Sequence, residues 1–373
     1  MRIIFSISRC LAVGALSAMV LCQATAGDAL ETVRGFPEKQ RVARLAACLE
    51  FLRDASTPAA ARAELIKLFA EDARLLSPHY GCNSIRIDEK EWIDLLSEGI
   101  RQDPGDIHVV YALTRLLINT RQYAKALEVV RPYARLHPDD QASRAWVEYC
   151  ELKLNAGEEK RNEVMEFDVH FCVITKNPKA QRMATRAQLE EEIAILNRRF
   201  VDLAGNPLGK FRLKSASLYD DVKDLGCPFV ALGDTTQPYD SYGWQEIFNQ
   251  CEHRQVRDAS AINIFINDAY REPLGFDSHI CHGKNNGNRP PYILLDYARL
   301  NNTSLSPEVH EMGHAFGLGH VGVAGADRFS HTNYMCSSEH NYGSGGRRNL
   351  GFSEDQAAIM LYNGRRMREF FGR

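Results

Sequence analysis

Four residues near the C-terminal end of the chain have the types and the spacing of a metal-dependent hydrolytic site. His310 and His314 are four residues apart, so a helix would place both imidazoles on one face, where they could bind one metal ion. Glu311 would lie close to that ion without binding it, which suits a base acting on water. Gly317 tolerates the left-handed geometry that ends a helix, so the chain could turn back and bring His320 to the same ion. Three neutral imidazoles with a fourth position open to water indicate a catalytic zinc site.

The extended spacing H-E-x-x-H-x-x-G-x-x-H is much more specific than the bare H-E-x-x-H pattern. Its chance occurrence in a chain of this composition is on the order of one in ten thousand. A structural zinc site is the alternative, and it would normally close with a fourth protein ligand such as Cys281 or Cys336. The presence of Glu311 favours catalysis, because a structural site does not need it. Before the motif, Ser306 and Pro307 suit the cap and the first position of a helix.

The motif resembles that of the metzincin zinc endopeptidases, and the likeness extends over about residues 164–373. That clan carries a methionine in a tight turn below the metal, and Met335 in Asn333-Tyr334-Met335-Cys336 is the candidate. Met335 could instead be an ordinary core residue. Within the clan the chain is most similar to the pappalysin-type branch. The resemblance implies an endopeptidase that uses one Zn²⁺ ion and Glu311 as general base.

Two further features depend on this resemblance. An extended protein or peptide substrate is expected to pair with an edge strand beside the cleft, and residues 274–280 are the candidate. Several branches carry a tyrosine two residues after the turn methionine, but this chain has Ser337 there. Tyr334 and Tyr342 lie nearby in the sequence, and neither is assigned the tyrosine's role.

The first 26 residues have the pattern of a signal peptide. Two arginines precede a short apolar run that ends near Cys22, and Ala24-Thr25-Ala26 fits a cleavage site. The sequence therefore predicts export, to the periplasm or outside the cell, with no integral membrane segment after cleavage. Eight cysteines would remain, an even number that predicts disulfide bonds without deciding among their pairings. The formal net charge of −3 gives no indication of nucleic-acid binding.

Residues 27–162 read as a purely helical region. Two prolines 34 residues apart, Pro104 and Pro138, enclose two helical runs at 107–118 and 123–136. This is the tetratricopeptide period, and Leu113, Tyr123 and Ala126 fit that family's pattern together with Pro138. The segment therefore resembles one such repeat, which implies a module that binds a protein or a peptide. An ordinary helical bundle is the alternative.

Residues 163–373 mix strands and helices. Alternating apolar residues predict strands near 167–173, 211–213, 262–266 and 292–297, and Thr185 begins a predicted helix that extends to Phe200. Residues 220–261 and 270–291 read as loop-rich insertions. The expected fold class is α+β: a helical, tetratricopeptide-like region, then a metzincin-type domain with a mixed twisted sheet, an active-site helix and a C-terminal helix.

Two other functions remain open. The helical region could be a binding module that carries a catalytically inactive zinc scaffold. Alternatively, it could be an inhibitory pro-segment in which the thiolate of Cys48 or Cys82 binds the zinc. Sequencing the N-terminus of the exported protein would separate these cases. A start near Val164 indicates a removed pro-segment, and a start near Gly27 indicates a retained module.

Overall fold

A computed structural model shows that the chain has a mixed α/β architecture. This architecture is compatible with the expected α+β class. The described part contains fourteen α-helices and one sheet of five strands. It divides into two compact units: one is the chain up to Cys150 with two short later segments, and the other is the remainder. The described residues are 26–37, 40–76, 88–155, 164–234, 241–268, 281–287, 289–302, 306–337 and 345–372.

In the described residues of the first unit, the regular structure consists of helices, as the residue pattern predicts. They are α1 (Ala26–Arg34), α2 (Arg41–Arg53), α3 (Ala59–Ala73), α4 (Glu89–Gln102), α5 (Ile107–Asn119), α6 (Tyr123–Leu136) and α7 (Gln141–Asn155). Asp106 caps α5 by accepting backbone N–H groups from its first turn. Between α5 and α6 the chain turns at Arg121, whose φ of 58° lies in the left-handed region. Leu113 and Ala126 are buried at 1% and 0% exposure, so both belong to the core of this unit.

The sheet of the second unit has the strand order β2-β1-β3-β5-β4. Its strands are β1 (Glu166–Val173), β2 (Lys210–Ser217), β3 (Ile262–Asn267), β4 (His282–Lys284) and β5 (Tyr292–Asp296). The first four in spatial order are parallel, and β4 pairs antiparallel with β5 at one edge. The four predicted strands and the mixed sheet are confirmed, whereas β4 is too short for the residue pattern to reveal.

An aromatic cluster lies between the sheet and the two helices that build the site. These helices are α13 (Pro307–Ala315) and α14 (Glu354–Phe370). Phe167 of β1 meets Phe316 at the end of α13, with ring centroids 5.1 Å apart. Phe200 and Phe352 pack at 5.2 Å, and both are fully buried. The helix that carries the histidine motif is therefore fixed on the sheet by large apolar rings.

The insertion at 220–261 contains short helices as well as the loops that its composition predicts. It contains α10 (Tyr219–Val222), α11 (Pro228–Ala231) and α12 (Ser241–Gln250), while α8 (Pro178–Met183) and α9 (Arg186–Arg199) lie earlier in the unit. Its Phe229, Trp244 and Phe248 form a buried cluster with Phe265 and Tyr292 of the sheet. A few large rings thus supply a core although the overall apolar content of the insertion is low.

Earlier in the unit, Thr185 caps α9 as predicted.

Several sequence predictions fall outside the described residues. They include the signal peptide, apart from Ala26, and the substrate-pairing strand at 274–280. Within the described part of the chain, no helix is long and apolar enough to cross a membrane.

Candidate metal centre

The two histidines of α13 lie on one helical face with their Nε2 atoms close together. These atoms are 3.2 Å apart. Two tetrahedral ligands at 2.0–2.1 Å from a zinc ion would be separated by about 3.3–3.4 Å. The ring planes are nearly perpendicular, at 89°, so both nitrogens can point at one position without the rings stacking. The spacing of His310 and His314 therefore fits a shared metal ion.

Backbone carbonyls hold both imidazoles in this orientation. Nδ1 of His310 lies 2.6 Å from the carbonyl oxygen of Tyr334, and Nδ1 of His314 lies 2.7 Å from that of Leu318. A carbonyl oxygen can only accept, so each Nδ1 must carry a proton and donate it. The neutral rings then present Nε2 lone pairs, which is how imidazoles bind metals.

His320 joins these two residues in one potential metal-binding group. One ligand atom from each of the three histidines lies within 4.8 Å of the others, and His310 is buried while His314 and His320 are half-buried. Cys281 and Cys336 are both described, yet neither is part of this group. The cluster could thus hold a metal ion with three imidazoles, which leaves one tetrahedral position for another ligand.

The chain reaches His320 because α13 stops abruptly. Gly317 has a φ of +90°, and an added Cβ there would also approach the side-chain amide of Asn363, so both conformation and space require glycine. Side-chain amides satisfy the last carbonyls of the helix: Asn363 donates to Phe316 at 2.8 Å, and Asn285 donates to Ala315 at 3.1 Å. The predicted role of Gly317 as the helix terminator is consistent with this geometry.

Glu311 lies beside the histidines in a dry environment. Glu311 is 7% exposed, and burial raises the pKa of its carboxyl group to about 8. The charge of Arg348 and the N–H of Gly283 have the opposite effect and lower this pKa. The edge strand β4 crosses closely over α13 here, because a Cβ at Gly283 would overlap the backbone carbonyl of Glu311. The carboxylate is therefore held between β4 and the segment that carries Arg348.

Met335 lies directly against the middle of α13. It is fully buried, and an added Cβ at Gly313 would overlap its sulfur. The turn is built by Asn333, whose side-chain oxygen accepts the N–H of Met335 at 2.7 Å and whose amide donates to Gln356 at 2.7 Å. A methionine turn thus lies under the helix between the two histidines, next to the carbonyl of Tyr334 that orients His310.

Ser306 does not cap α13 with its side chain. Its backbone adopts the left-handed region, with φ 42° and ψ 58°, which turns its hydroxyl away from the first helical N–H groups. The hydroxyl instead accepts a hydrogen bond of 2.8 Å from Arg199 of α9. Pro307 does occupy the start of the helix, as predicted.

The residue pattern gave no indication of two buried acids at the start of α13. Glu308 and Glu192 are both fully buried, and burial raises the pKa of each carboxyl. The positive charge of Arg199 lowers the pKa of Glu308 and partly compensates. Only the tertiary fold brings α9 to this position, so helical periodicity could not have revealed the pair.

Ser337 stands where the family resemblance implies a tyrosine, and only one of the two nearby tyrosines is described. Tyr334 is 3% exposed, and its ring packs at 5.1 Å on Phe352 rather than facing solvent. Tyr342 lies outside the described residues. Ser337 binds the carbonyl of Val321 through its own N–H at 2.9 Å. The nearby polar group that the sequence analysis missed is Arg348, which no motif or spacing identifies.

Comparison with known proteins adds no identification. Family models, curated proteins and solved structures yield no significant match to this chain. The site must therefore be interpreted from its own residues and geometry.

Proposed function

We propose that this chain is an exported zinc-dependent endopeptidase of the metzincin type. The proposal depends on one observation: three imidazoles converge with two Nε2 atoms 3.2 Å apart, beside the buried carboxylate of Glu311. Nitrogen ligands with an open fourth position suit zinc, and hard cations such as Mg²⁺ or Ca²⁺ prefer oxygen ligands. The methionine turn under α13 also agrees with the family resemblance.

The residues of this chain would divide the chemistry of peptide hydrolysis among them. When bound, Zn²⁺ supplies Lewis-acid activation of water and of the scissile carbonyl. Glu311 accepts the proton of the attacking water and delivers a proton to the leaving amine. A raised pKa makes the ionised carboxylate a stronger proton acceptor, which suits this role. Tyr334 and Leu318 act through their carbonyls, which keep the imidazoles oriented.

One described strand lies at the edge of the sheet, close to the proposed base. β4 forms one edge of the sheet and runs antiparallel to β5. It crosses α13 at Glu311, so this edge of the sheet lies close to the proposed base. The proposed substrate-pairing residues at 274–280 lie just before β4 in the sequence.

The roles of Glu311 and the histidines can be separated in one variant. Glu311→Gln should retain about one zinc per chain, because the ligands are unchanged, and should lose roughly 10²–10⁴-fold in peptide hydrolysis. The matched control is Glu369→Gln, which alters an exposed glutamate and should leave both properties unchanged. Zinc content and peptide cleavage are measured on the same preparations. Undiminished hydrolysis by Glu311→Gln would contradict the proposal.

The helical unit is proposed as a retained module that binds a protein or a peptide. The pro-segment alternative requires an accessible thiolate, but Cys48 is fully buried and burial raises its pKa to about 12. Cys82 lies outside the described residues. The inactive-scaffold alternative gives no reason for a buried carboxylate beside the histidines, so the peptidase is the better-supported function.

A further inference from the structure

Arg348 is held in a constrained conformation beside the methionine turn. Its φ of 47° lies in the left-handed region, which is strained for a non-glycine residue. Two hydrogen bonds fix it: its N–H donates to the hydroxyl of Thr332 at 3.0 Å, and its Nε donates to the carbonyl of Cys336 at 2.8 Å. Cys336 directly follows Met335, so the guanidinium is anchored to the turn that supports the proposed metal site.

The guanidinium of Arg348 is close enough to interact electrostatically with the carboxylate of Glu311, but the two side chains do not form an ion pair. The charge of Arg348 lowers the pKa of Glu311, and the carboxylate likewise acts on Arg348. No nitrogen–oxygen distance of 4 Å or less joins the two side chains. With Nε used by Cys336, the terminal nitrogens of Arg348 make no hydrogen bond to the described residues. Two parallel donors therefore remain for a ligand.

A second arginine adds positive charge to the same place. The charge of Arg299, which follows β5, acts on both Arg348 and the half-buried thiol of Cys281. Among the described residues, Glu311 and Asp296 contribute negative charge near Cys281, and Asp296 is buried and accepts the N–H of Ala298 at 2.8 Å. The fork-shaped guanidinium of Arg348 matches a carboxylate.

We propose that Arg348 binds a carboxylate of the peptide substrate and makes the site selective for acidic peptides. The carboxylate belongs either to an aspartate or glutamate side chain close to the scissile bond or to the free C-terminus. This inference rests on the proposed peptidase function, because it assigns the substrate class of that site. Arg348 is a specificity-determining residue that leaves proton transfer to Glu311.

The inference is tested by binding, which does not require hydrolysis. Zinc-loaded Glu311→Gln protein is titrated with fluorescent peptides in matched pairs: aspartate against asparagine at each position, and free C-terminal acid against amide. At least one acidic member should bind about tenfold more tightly, since a hydrogen bond to a charged group has this magnitude. The position of that member distinguishes a side-chain carboxylate from the C-terminus.

Adding Arg348→Gln should abolish the preference, and Arg348→Lys should retain part of it through the charge. Arg347→Gln is the matched control, because Arg347 is exposed and should not affect the preference. Circular dichroism confirms that each variant is folded. Equal binding of acidic and neutral peptides, or a preference that survives Arg348→Gln, would overturn the inference.

Hydrolysis of the same peptide pairs by the protein with Glu311 intact separates this inference from the function itself. Cleavage of neutral and acidic peptides at equal rates contradicts the proposed selectivity for acidic peptides but supports the proposed peptidase function. Selective binding without any cleavage contradicts the peptidase function but supports a carboxylate-binding site at Arg348.

Discussion

At the residue scale, the tautomers of the two helix histidines are fixed by the backbone. His310 and His314 each donate from Nδ1 to a carbonyl, at 2.6 and 2.7 Å, so each neutral ring presents an Nε2 lone pair that can bind a metal. Backbone acceptors do not titrate, so this orientation does not depend on the charge of another side chain. The imidazoles are consequently preorganised before a metal arrives, which reduces the ordering that binding would require.

Removal of one imidazole should abolish stable metal binding. We expect His314→Ala to retain only a small fraction of the zinc that the unaltered protein holds, because two protein ligands are too few for the proposed three-histidine site. The control is His331→Ala, since His331 lies near the turn but its Nδ1 pairs with Asn349 at 3.1 Å. Metal analysis after dialysis measures both variants. Equal zinc in His314→Ala and the unaltered protein would show that the metal is held elsewhere.

At the element scale, β4 and α13 approach so closely that only glycine fits between them. A Cβ at Gly283 would overlap the backbone of Glu311, and backbone cannot yield as a flexible side chain does. We expect Gly283→Ala to lower the free energy of unfolding by about 1–3 kcal/mol, the usual cost of overpacking. It should also lower peptide hydrolysis by displacing the edge strand. Urea unfolding and cleavage assays measure the two effects.

Gly319→Ala is the control for this substitution. No atom lies within 4 Å of the Cβ position at Gly319, and its backbone is not left-handed. Its stability should therefore change by less than about 0.5 kcal/mol. Similar losses in the two alanine variants would mean that the contact between β4 and α13 has no special importance.

The parts of the fold that could be predicted are those that a local pattern encodes. The helices at 107–118 and 123–136, the strand around Phe167 to Val173 and the capped helix after Thr185 all follow from periodicity over eight or more residues. By contrast, β4 has three residues and cannot show a period. The short helices of the 220–261 insertion depend on a cluster of rings from distant strands.

In the candidate site too, some residues could be predicted from a local sequence pattern and others could not. The histidines, Glu311 and Gly317 lie within eleven consecutive residues, so their spacing alone predicts their arrangement. Arg348 and Glu192 reach this neighbourhood only through turns and packing, and no local pattern points to them. Ser306 has a residue type that suits a helix cap, but its backbone conformation overrides that preference.

At the scale of the whole molecule, export would determine whether the cysteines are thiols or form disulfide bonds. Cys227 and Cys251 are buried with their sulfur atoms 3.1 Å apart, and contact with Cys251 lowers the pKa of Cys227. We expect the exported protein to join them in a disulfide, formed when a protein disulfide or oxidised glutathione accepts the two electrons and both thiols lose their protons. Closing the intervening loop would stabilise the fold by about 3 kcal/mol.

Mass spectrometry of peptides from unreduced, alkylated protein detects this bond, and urea unfolding with and without a reductant measures its effect. Cys172→Ser is a control for the loss of a single buried thiol, since it should leave the disulfide intact. Alkylation of both Cys227 and Cys251 in the exported protein, after unfolding, would contradict the expectation.

In the proposed site, three imidazoles hold one zinc ion and leave a position open for water. X-ray absorption at the zinc edge of the purified protein measures this arrangement, because it reports the ligand types and distances. We expect only nitrogen and oxygen neighbours at about 2.0–2.1 Å, with an imidazole scattering pattern for His310, His314 and His320. A sulfur neighbour at about 2.3 Å would contradict it, because a cysteine would then close the site.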